Sequence, residues 1–519
     1  MTLTFVHAAG LPPLSWCAVT DAAADTTTVM HGSWVETRDD WFVEGVWAGD
    51  FGGARRDGQG ALMGFLGRAD GHGVTFSCPE HPLEKLHVIV RGGKAFVSPS
   101  IPFVLAMSGT DLDASYLDFR EDFLGFVSRL DRNEGSVPLR LGGRMLVFAN
   151  RDVTIDGALR IRASRRENRC RFSTFGEYRD TLVTAMRAFV SNANAEERRV
   201  RFSPLASLSS GYDSNACAVI AQEAGCVDAV TLRSSAEDLK AYDGDDSGTH
   251  VGRILGMRVV EFERAAYLRE QGRMEPLFLA SGYLGEDIVL SGMSTLVPRR
   301  IFVSGLHGDA DWSRDAEDFD TPDVRHPSGS GCSLYEYRVR VGFFHVPLPF
   351  VTALARPDTL RISRSEEMRA WSLGNDYDRP IARRLLEERG VPRDAFGQRK
   401  RGLFTTYFTG SRTGLSRSMS AEAFASFERF YALHGREPKA SRTLARLAGY
   451  AAFKAAGRLD RRLRRRGSHP RLADRFPQRY RFPPLRQALL FPWAASVVRQ
   501  DYESAADAAG LGRPSPAGG

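Results

Sequence analysis

The 519-residue sequence predicts an α/β protein: a β-rich N-terminal domain, then a parallel-sheet domain, then a helical C-terminal part. Three observations lead there. The N-terminal third carries short apolar or alternating runs divided by Gly-rich turns, the signature of packed strands. From Thr174 onward strand-like and helix-like segments alternate, as in a parallel sheet covered on both faces. Beyond residue 360 the pattern becomes helical and Arg-rich.

In chain order, Val43 to Trp47, Gly60 to Leu66, Leu86 to Val90 and Met145 to Ala149 read as strands, with turns such as Gly52-Gly53 and Gly92-Gly93 between them. Val153 to Ile161 reads as a further strand pair. At Thr174 the period changes: Phe175, Tyr178, Leu182, Ala185, Met186 and Phe189 share one helix face, and Thr174 can cap its start. Phe202 to Leu208 is then a strand, Ser209 to Ser214 a loop and Asn215 to Ala224 a helix. Ala229 to Leu232, Val259 to Phe262 and Ile301 to Ser304 are strands, with a helix at His250 to Leu255. The expected boundaries are a β-rich domain at 1–165, a parallel-sheet domain at 170–415 and a helical Arg-rich extension at 416–503. The Ala/Gly/Pro/Ser-rich tail at 504–519 is predicted to be disordered.

Hydrophobic residues make up 43% and charged residues 26%, a globular balance. No apolar run approaches the roughly 20 residues of a spanning helix, so no membrane partner is expected. Met1-Thr2-Leu3-Thr4-Phe5 lacks the features of a signal peptide, which makes the cytoplasm the expected location. The six cysteines, Cys17, Cys78, Cys170, Cys217, Cys226 and Cys332, form no C-x-x-C pair and read as reduced thiols. The net charge of +7 is spread along the chain. Its one dense run, Arg461 to Arg466, reads as a solvated helix face, so no specific nucleic-acid partner is expected. Only six of the 70 basic residues are lysines, Lys400 among them.

The loop Ser209-Ser210-Gly211-Tyr212-Asp213-Ser214 carries the chemistry. A Ser/Gly turn between a strand and a helix aims backbone N–H groups and the helix dipole at one place, where phosphate binds. Gly211 permits close backbone approach, and Ser209, Ser210 and Ser214 offer hydroxyl donors. Asp213 would repel bare phosphate, which suggests a bridging Mg²⁺. An ordinary connection whose serines cap the helix would look the same. The Gly-Lys-Ser/Thr ending of a Walker loop is missing.

Leu208-Ser209-Ser210-Gly211-Tyr212-Asp213-Ser214 resembles the S-G-G-x-D-S pyrophosphate loop of the asparagine synthetase and β-lactam synthetase family. These are ATP pyrophosphatases that adenylate a carboxylate. Further segments match in order: Val230-Thr231-Leu232-Arg233-Ser234 as the adenine strand and Asp245-Asp246 as an acidic pair. Ser304-Gly305-Leu306-His307-Gly308-Asp309 matches a second Gly/Asp loop, and Gln398-Arg399-Lys400 an R-x-K-type segment. The resemblance spans residues 175 to 410 and implies an adenine nucleotide α-hydrolase-like fold. It implies that ATP lies on Leu208, Ser209, Ser210, Gly211, Asp213, Ser214, Thr231, Leu232, Gly305, His307 and Gly308. It also implies that Asp213 and Asp309 hold Mg²⁺ and that Lys400 stabilises charge or delivers a proton. His307 could contact pyrophosphate or simply be a satisfied loop histidine.

Two departures shape the expectation. Glutamine-dependent members begin with a cysteine nucleophile after Met removal, whereas Thr2 stands here and Cys17 lies inside the chain. The N-terminal domain is therefore expected to be a degenerate N-terminal-nucleophile-like sandwich without glutaminase activity. In Phe343 to Phe350, His345 stands where the family has a catalytic Glu. A neutral imidazole can act as a base near pH 7, or Glu336 could supply the carboxylate, unless it pairs with an arginine on a strand. The expected function is MgATP-dependent, amide-forming ligation of the asparagine-synthesis type, with a small-molecule or peptide carboxylate and an amine or ammonia as partners. A homodimer is an assembly open to such a chain. The alternatives are the same ATP chemistry on a peptide or glycan-precursor substrate, and a nucleotide-binding pseudoenzyme.

Overall fold

The computed structural model describes residues 1–510 apart from 54–59, 129–133, 141, 168–169, 234–245, 270–273, 316–323, 325, 327, 376, 399–407, 409, 436–439, 465–471, 473–475 and 477–484. The protein is α/β: two β-sheets, one mixed and one antiparallel, form the N-terminal region, followed by a parallel sheet and helices.

The N-terminal strands are β1 (Thr2–His7), β2 (Trp16–Asp21), β3 (Thr26–His31), β4 (Glu36–Thr37), β5 (Trp41–Trp47), β6 (Leu62–Asp70) and β7 (Gly73–Ser77). They continue with β8 (Leu86–Arg91), β9 (Lys94–Ser98), β10 (Glu134–Pro138), β11 (Arg144–Phe148), β12 (Arg151–Asp156) and β13 (Ile161–Arg165). One sheet has the order β1-β3-β2-β9-β8-β11-β10, with β1 and β3 parallel. The other runs β13-β12-β7-β6-β5-β4. Alternate residues of each strand point to one face, and the two sheets meet through Trp16 of β2, whose ring stacks on Phe76 of β7 and meets Phe42 of β5 edge-on. Thr2 starts the edge strand β1 and is exposed, while Cys17 is fully buried in β2. Burial raises the Cys17 thiol pKa far above its usual value.

The parallel sheet has the order β16-β15-β14-β17-β18, with β14 (Ser203–Leu208), β15 (Asp228–Arg233), β16 (Arg258–Glu263), β17 (Arg300–Ser304) and β18 (Phe344–Pro347). All four neighbouring pairs are parallel. The order reverses between β14 and β17, and a crevice at the carboxyl ends of such strands is where open α/β sheets bind ligands. The helix Phe175–Ala193 begins in a capping box: Thr174 Oγ1 accepts the Glu177 N–H while the Glu177 carboxylate accepts the Thr174 N–H.

One apolar cluster joins the N-terminal region, one face of the parallel sheet and the C-terminal helices; the second joins the N-terminal sheets to the other face. The expected tail is corrected in part. Ser504 to Ala508 complete the helix Arg486–Ala508, and Tyr502, Ala505 and Ala506 are buried. Tyr502 stacks on Phe103 of the helix Ile101–Ser108, with ring centroids 4.4 Å apart. Ala505, Ala506 and Ala509, from the stretch that read as low complexity, continue the Tyr502 face of the helix Arg486–Ala508, whereas Ala508 is exposed. Residues 511–519 lie outside the described residues. No helix among the described residues is long and apolar enough to cross a membrane.

Candidate functional site

A cavity of about 220 Å³ opens at the carboxyl ends of β14 and β17 and runs along one face of the sheet. It brings together Leu208, Ser209, Gly211, Asp213 and Ser214 from the first loop, Leu232 from β15, and Gly305, His307 and Asp309 from the second loop. His345 of β18 completes the set of sequence-predicted residues in its wall.

The first loop is held by a residue the motif comparison passed over. Asn215 is fully buried. Its side-chain N–H groups donate to the carbonyls of Ser209 and Gly211, each at 2.8 Å, and its Oδ1 accepts the Ser209 N–H. The signal was a lone amide directly before the apolar run Ala216-Cys217-Ala218-Val219-Ile220. Among the described residues no side chain caps the helix Asp213–Glu223, so its first turn faces the cavity as an anion-binding end. Tyr212 anchors the turn from below: its ring is buried against Tyr377 and Phe396, and its hydroxyl accepts a hydrogen bond from Arg383. Asn215→Ala is expected to destabilise the protein by about 1–2 kcal/mol, since two part-buried carbonyls lose their donor. Urea denaturation measures it, and an unchanged midpoint would contradict the loop assignment.

Three predicted ligands are placed otherwise. Ser210 does not line the cavity: its hydroxyl donates to Asp246 Oδ1 at 2.7 Å and its N–H to the Asp246 carbonyl. Asp246, half of the predicted acidic pair, thus ties the loop to the following segment, while Asp245 lies outside the described residues. Thr231 faces away from the cavity. Its hydroxyl donates to the Leu208 carbonyl at 2.9 Å and accepts the Gly248 N–H at 2.8 Å. The strand period of two places Val230 and Leu232 in the wall instead, with Phe262 of β16. Gly308 is absent from the wall and acts through space: a Cβ there would lie 2.9 Å from the Asp213 Cβ.

Arg379, which no sequence signal marked, enters the cavity and forms an ion pair with Asp213. Burial opposes its charge, but Asp213, Tyr377 and Asp309 more than offset that and raise its pKa. Asp213 and Asp309 therefore face one cation. Among the described residues no group of three or more His, Cys, Asp or Glu is arranged to hold a metal. Two carboxylates suit Mg²⁺ only when it shares phosphate oxygens and water as further ligands.

Both predicted histidines are buried. His345 is buried and its Nε2 lies 2.7 Å from the Ser304 hydroxyl. Burial, with the positive charge of Arg338 adding, holds its pKa down at about 3. It is therefore uncharged at pH 7, with its Nε2 engaged by the Ser304 hydroxyl. His307 adopts φ +80°, stacks on Phe350 at 4.3 Å and sets its Nε2 3.4 Å from Asp311. The expectation for Glu336 is corrected. It sits on the helix Tyr335–Val341, not a strand, lies outside the cavity wall, and accepts a 2.7 Å hydrogen bond from Tyr502 rather than pairing with an arginine. Arg399 and Lys400 lie outside the described residues.

No family model matches the sequence, and no curated protein matches it either.

Proposed function

We propose that this cavity binds MgATP and that the protein adenylates a carboxylate, releases pyrophosphate and passes the acyl group to an amine or ammonia. The observation that carries this reading is the meeting of two loops at the strand-order reversal. The Ser/Gly loop after β14 and the Gly/Asp loop after β17 each contribute one carboxylate, Asp213 and Asp309, to one cavity. On this reading the parallel sheet is an adenine nucleotide α-hydrolase-like domain. The N-terminal sheets are a degenerate N-terminal-nucleophile-like sandwich kept as a scaffold.

Each group has a task. Val230, Leu232 and Phe262 offer an apolar wall for a flat base. The first turn of the helix Asp213–Glu223 and the Ser209 and Ser214 hydroxyls face the phosphates. Asp213 and Asp309 would hold Mg²⁺ jointly with phosphate oxygens, and the ion would offset charge on the departing pyrophosphate. Arg379, paired with Asp213, is placed to turn to a phosphate when the carboxylate takes up the metal. Lys400 belongs to the proposal as a further cation. On this reading the nitrogen donor is an amine or ammonia.

The test is ATP–pyrophosphate exchange with a panel of carboxylates, in the natural sequence and in the double variant Asp213→Ala, Asp309→Ala. Carboxylate-dependent exchange is expected, falling by at least about a thousandfold in the double variant, the scale of a lost transition-state charge clamp. Full turnover in the variant would overturn the assignment. His345, uncharged where the resemblance implies a Glu, favours a second reading: a nucleotide-binding protein without ligase activity. MgATP binding with no exchange on any carboxylate or peptide is its signature.

A further inference from the structure

The cavity has two chemically different ends. Its charged side chains among the described residues are Asp213, Asp246, Asp309 and Arg379, and all four belong to the phosphate-loop end. Asp213 pairs with Arg379, Asp246 holds Ser210, and the charge of Asp309 acts on Arg379.

The end over β17 and β18 is built differently. Its floor is Phe302, Ser304 and His345, on one face because Phe302 and His345 are register partners; their rings lie 5.8 Å apart at 27°. Leu290, Leu306 and Leu334 add apolar wall. His345, 3% exposed, is held by burial, with the charge of Arg338 adding, at a pKa of about 3, so it is uncharged at neutral pH. The neutral His345 ring and the Ser304 hydroxyl, joined at 2.7 Å, bring hydrogen-bonding groups without charge to this floor, which suit an amide N–H or C=O.

A free acidic amino acid would bring an ammonium and a second carboxylate into this end. Burying such charges uncompensated is strongly unfavourable, whereas amide groups and apolar atoms match what lines it. We infer that the β17–β18 end takes a carboxylic acid borne on an uncharged, amide-flanked or apolar framework, such as an acidic side chain within a peptide, and excludes free aspartate. This rests on the proposed adenylation, since it names the acid that reaction would use.

The experiment is equilibrium binding to the full chain with MgATP present, read by saturation-transfer NMR and titration. The probes are free L-aspartate, N-acetyl-L-aspartic acid α-amide with its side-chain carboxyl free, and 3-phenylpropionate. The two uncharged frameworks are expected to bind at least about tenfold more tightly than aspartate. Aspartate binding equally well or better overturns the inference, and so does failure of all three to bind. The two readings separate cleanly. The expected order without pyrophosphate exchange defeats adenylation alone; exchange driven by free aspartate defeats the substrate class alone.

Discussion

Replacing Arg338 with Met is expected to cost about 3–5 kcal/mol of stability, the largest loss of any single side chain considered, because it strips the cation from two buried carboxylates. Arg338 is 1% exposed and makes two hydrogen bonds to Glu84, at 2.6 and 2.9 Å, and one to Glu44. Glu44 belongs to β5 and Glu84 follows β7, while Arg338 sits on the helix Tyr335–Val341, so the triad joins the N-terminal sheets to the second half of the chain. One cation faces two carboxylates. Burial pushes the Glu44 pKa up to about 8, with Glu84 adding and Arg338 opposing. A carboxyl whose folded pKa lies above its unfolded one stabilises the fold when protonated. That contribution is complete below its ordinary 4.5 and is lost as pH rises through about 8. The loss in Arg338→Met should therefore be greatest at alkaline pH, where Glu44 is ionised, and shrink below about pH 8, where Glu44 holds a proton. Urea denaturation of both proteins across that range measures it. A loss independent of pH would show that the carboxylates are not the groups left stranded.

Gly305→Ala is expected to abolish nucleotide binding, weakening MgATP by about a hundredfold or more, equivalent to about 2.7 kcal/mol. A Cβ at Gly305 would fall on the Asp213 carbonyl carbon and the Ser214 amide nitrogen, nearer than any real Cβ packs. Both are backbone atoms at the start of a helix and cannot rotate aside. The second loop must back away from the first, separating Asp309 from Asp213 and opening the phosphate cradle. Overpacking of this kind also destabilises by about 1–3 kcal/mol. Calorimetric titration with MgATP, beside thermal unfolding, distinguishes the two effects. A variant of lowered stability that still binds MgATP as tightly would show that the loops do not form the nucleotide site together.

Much of this was legible in the chain because it rests on local rules. The Thr174 helix cap and the strand at β14 are read from residues a few positions apart, and the structure has both; the reciprocal bond to Glu177 came only with the structure. The two loops could be picked out by glycine, serine and aspartate content. What those glycines do was not legible: Gly305 and Gly308 looked like phosphate-facing residues, and their neighbour is the opposite loop. Ser210 and Thr231 look as suitable as Ser209 and Leu232 by type, yet their hydroxyls are consumed by Asp246 and Leu208. Arg379 carries no signal at all, since its meaning comes from Asp213, which is 166 positions away.

The sequence alone determined the periodicities, and with them the alternation of strand and helix and the places where the backbone must turn. These follow from side-chain spacing and backbone sterics within one element. Only the tertiary structure decided which polar groups meet. It set Arg379 on Asp213, buried His345 until it could no longer hold a proton at neutral pH, and drew Glu336 to Tyr502. The physical reason is that charge state and hydrogen-bond partner are properties of an environment. Segments far apart in the chain assemble that environment together.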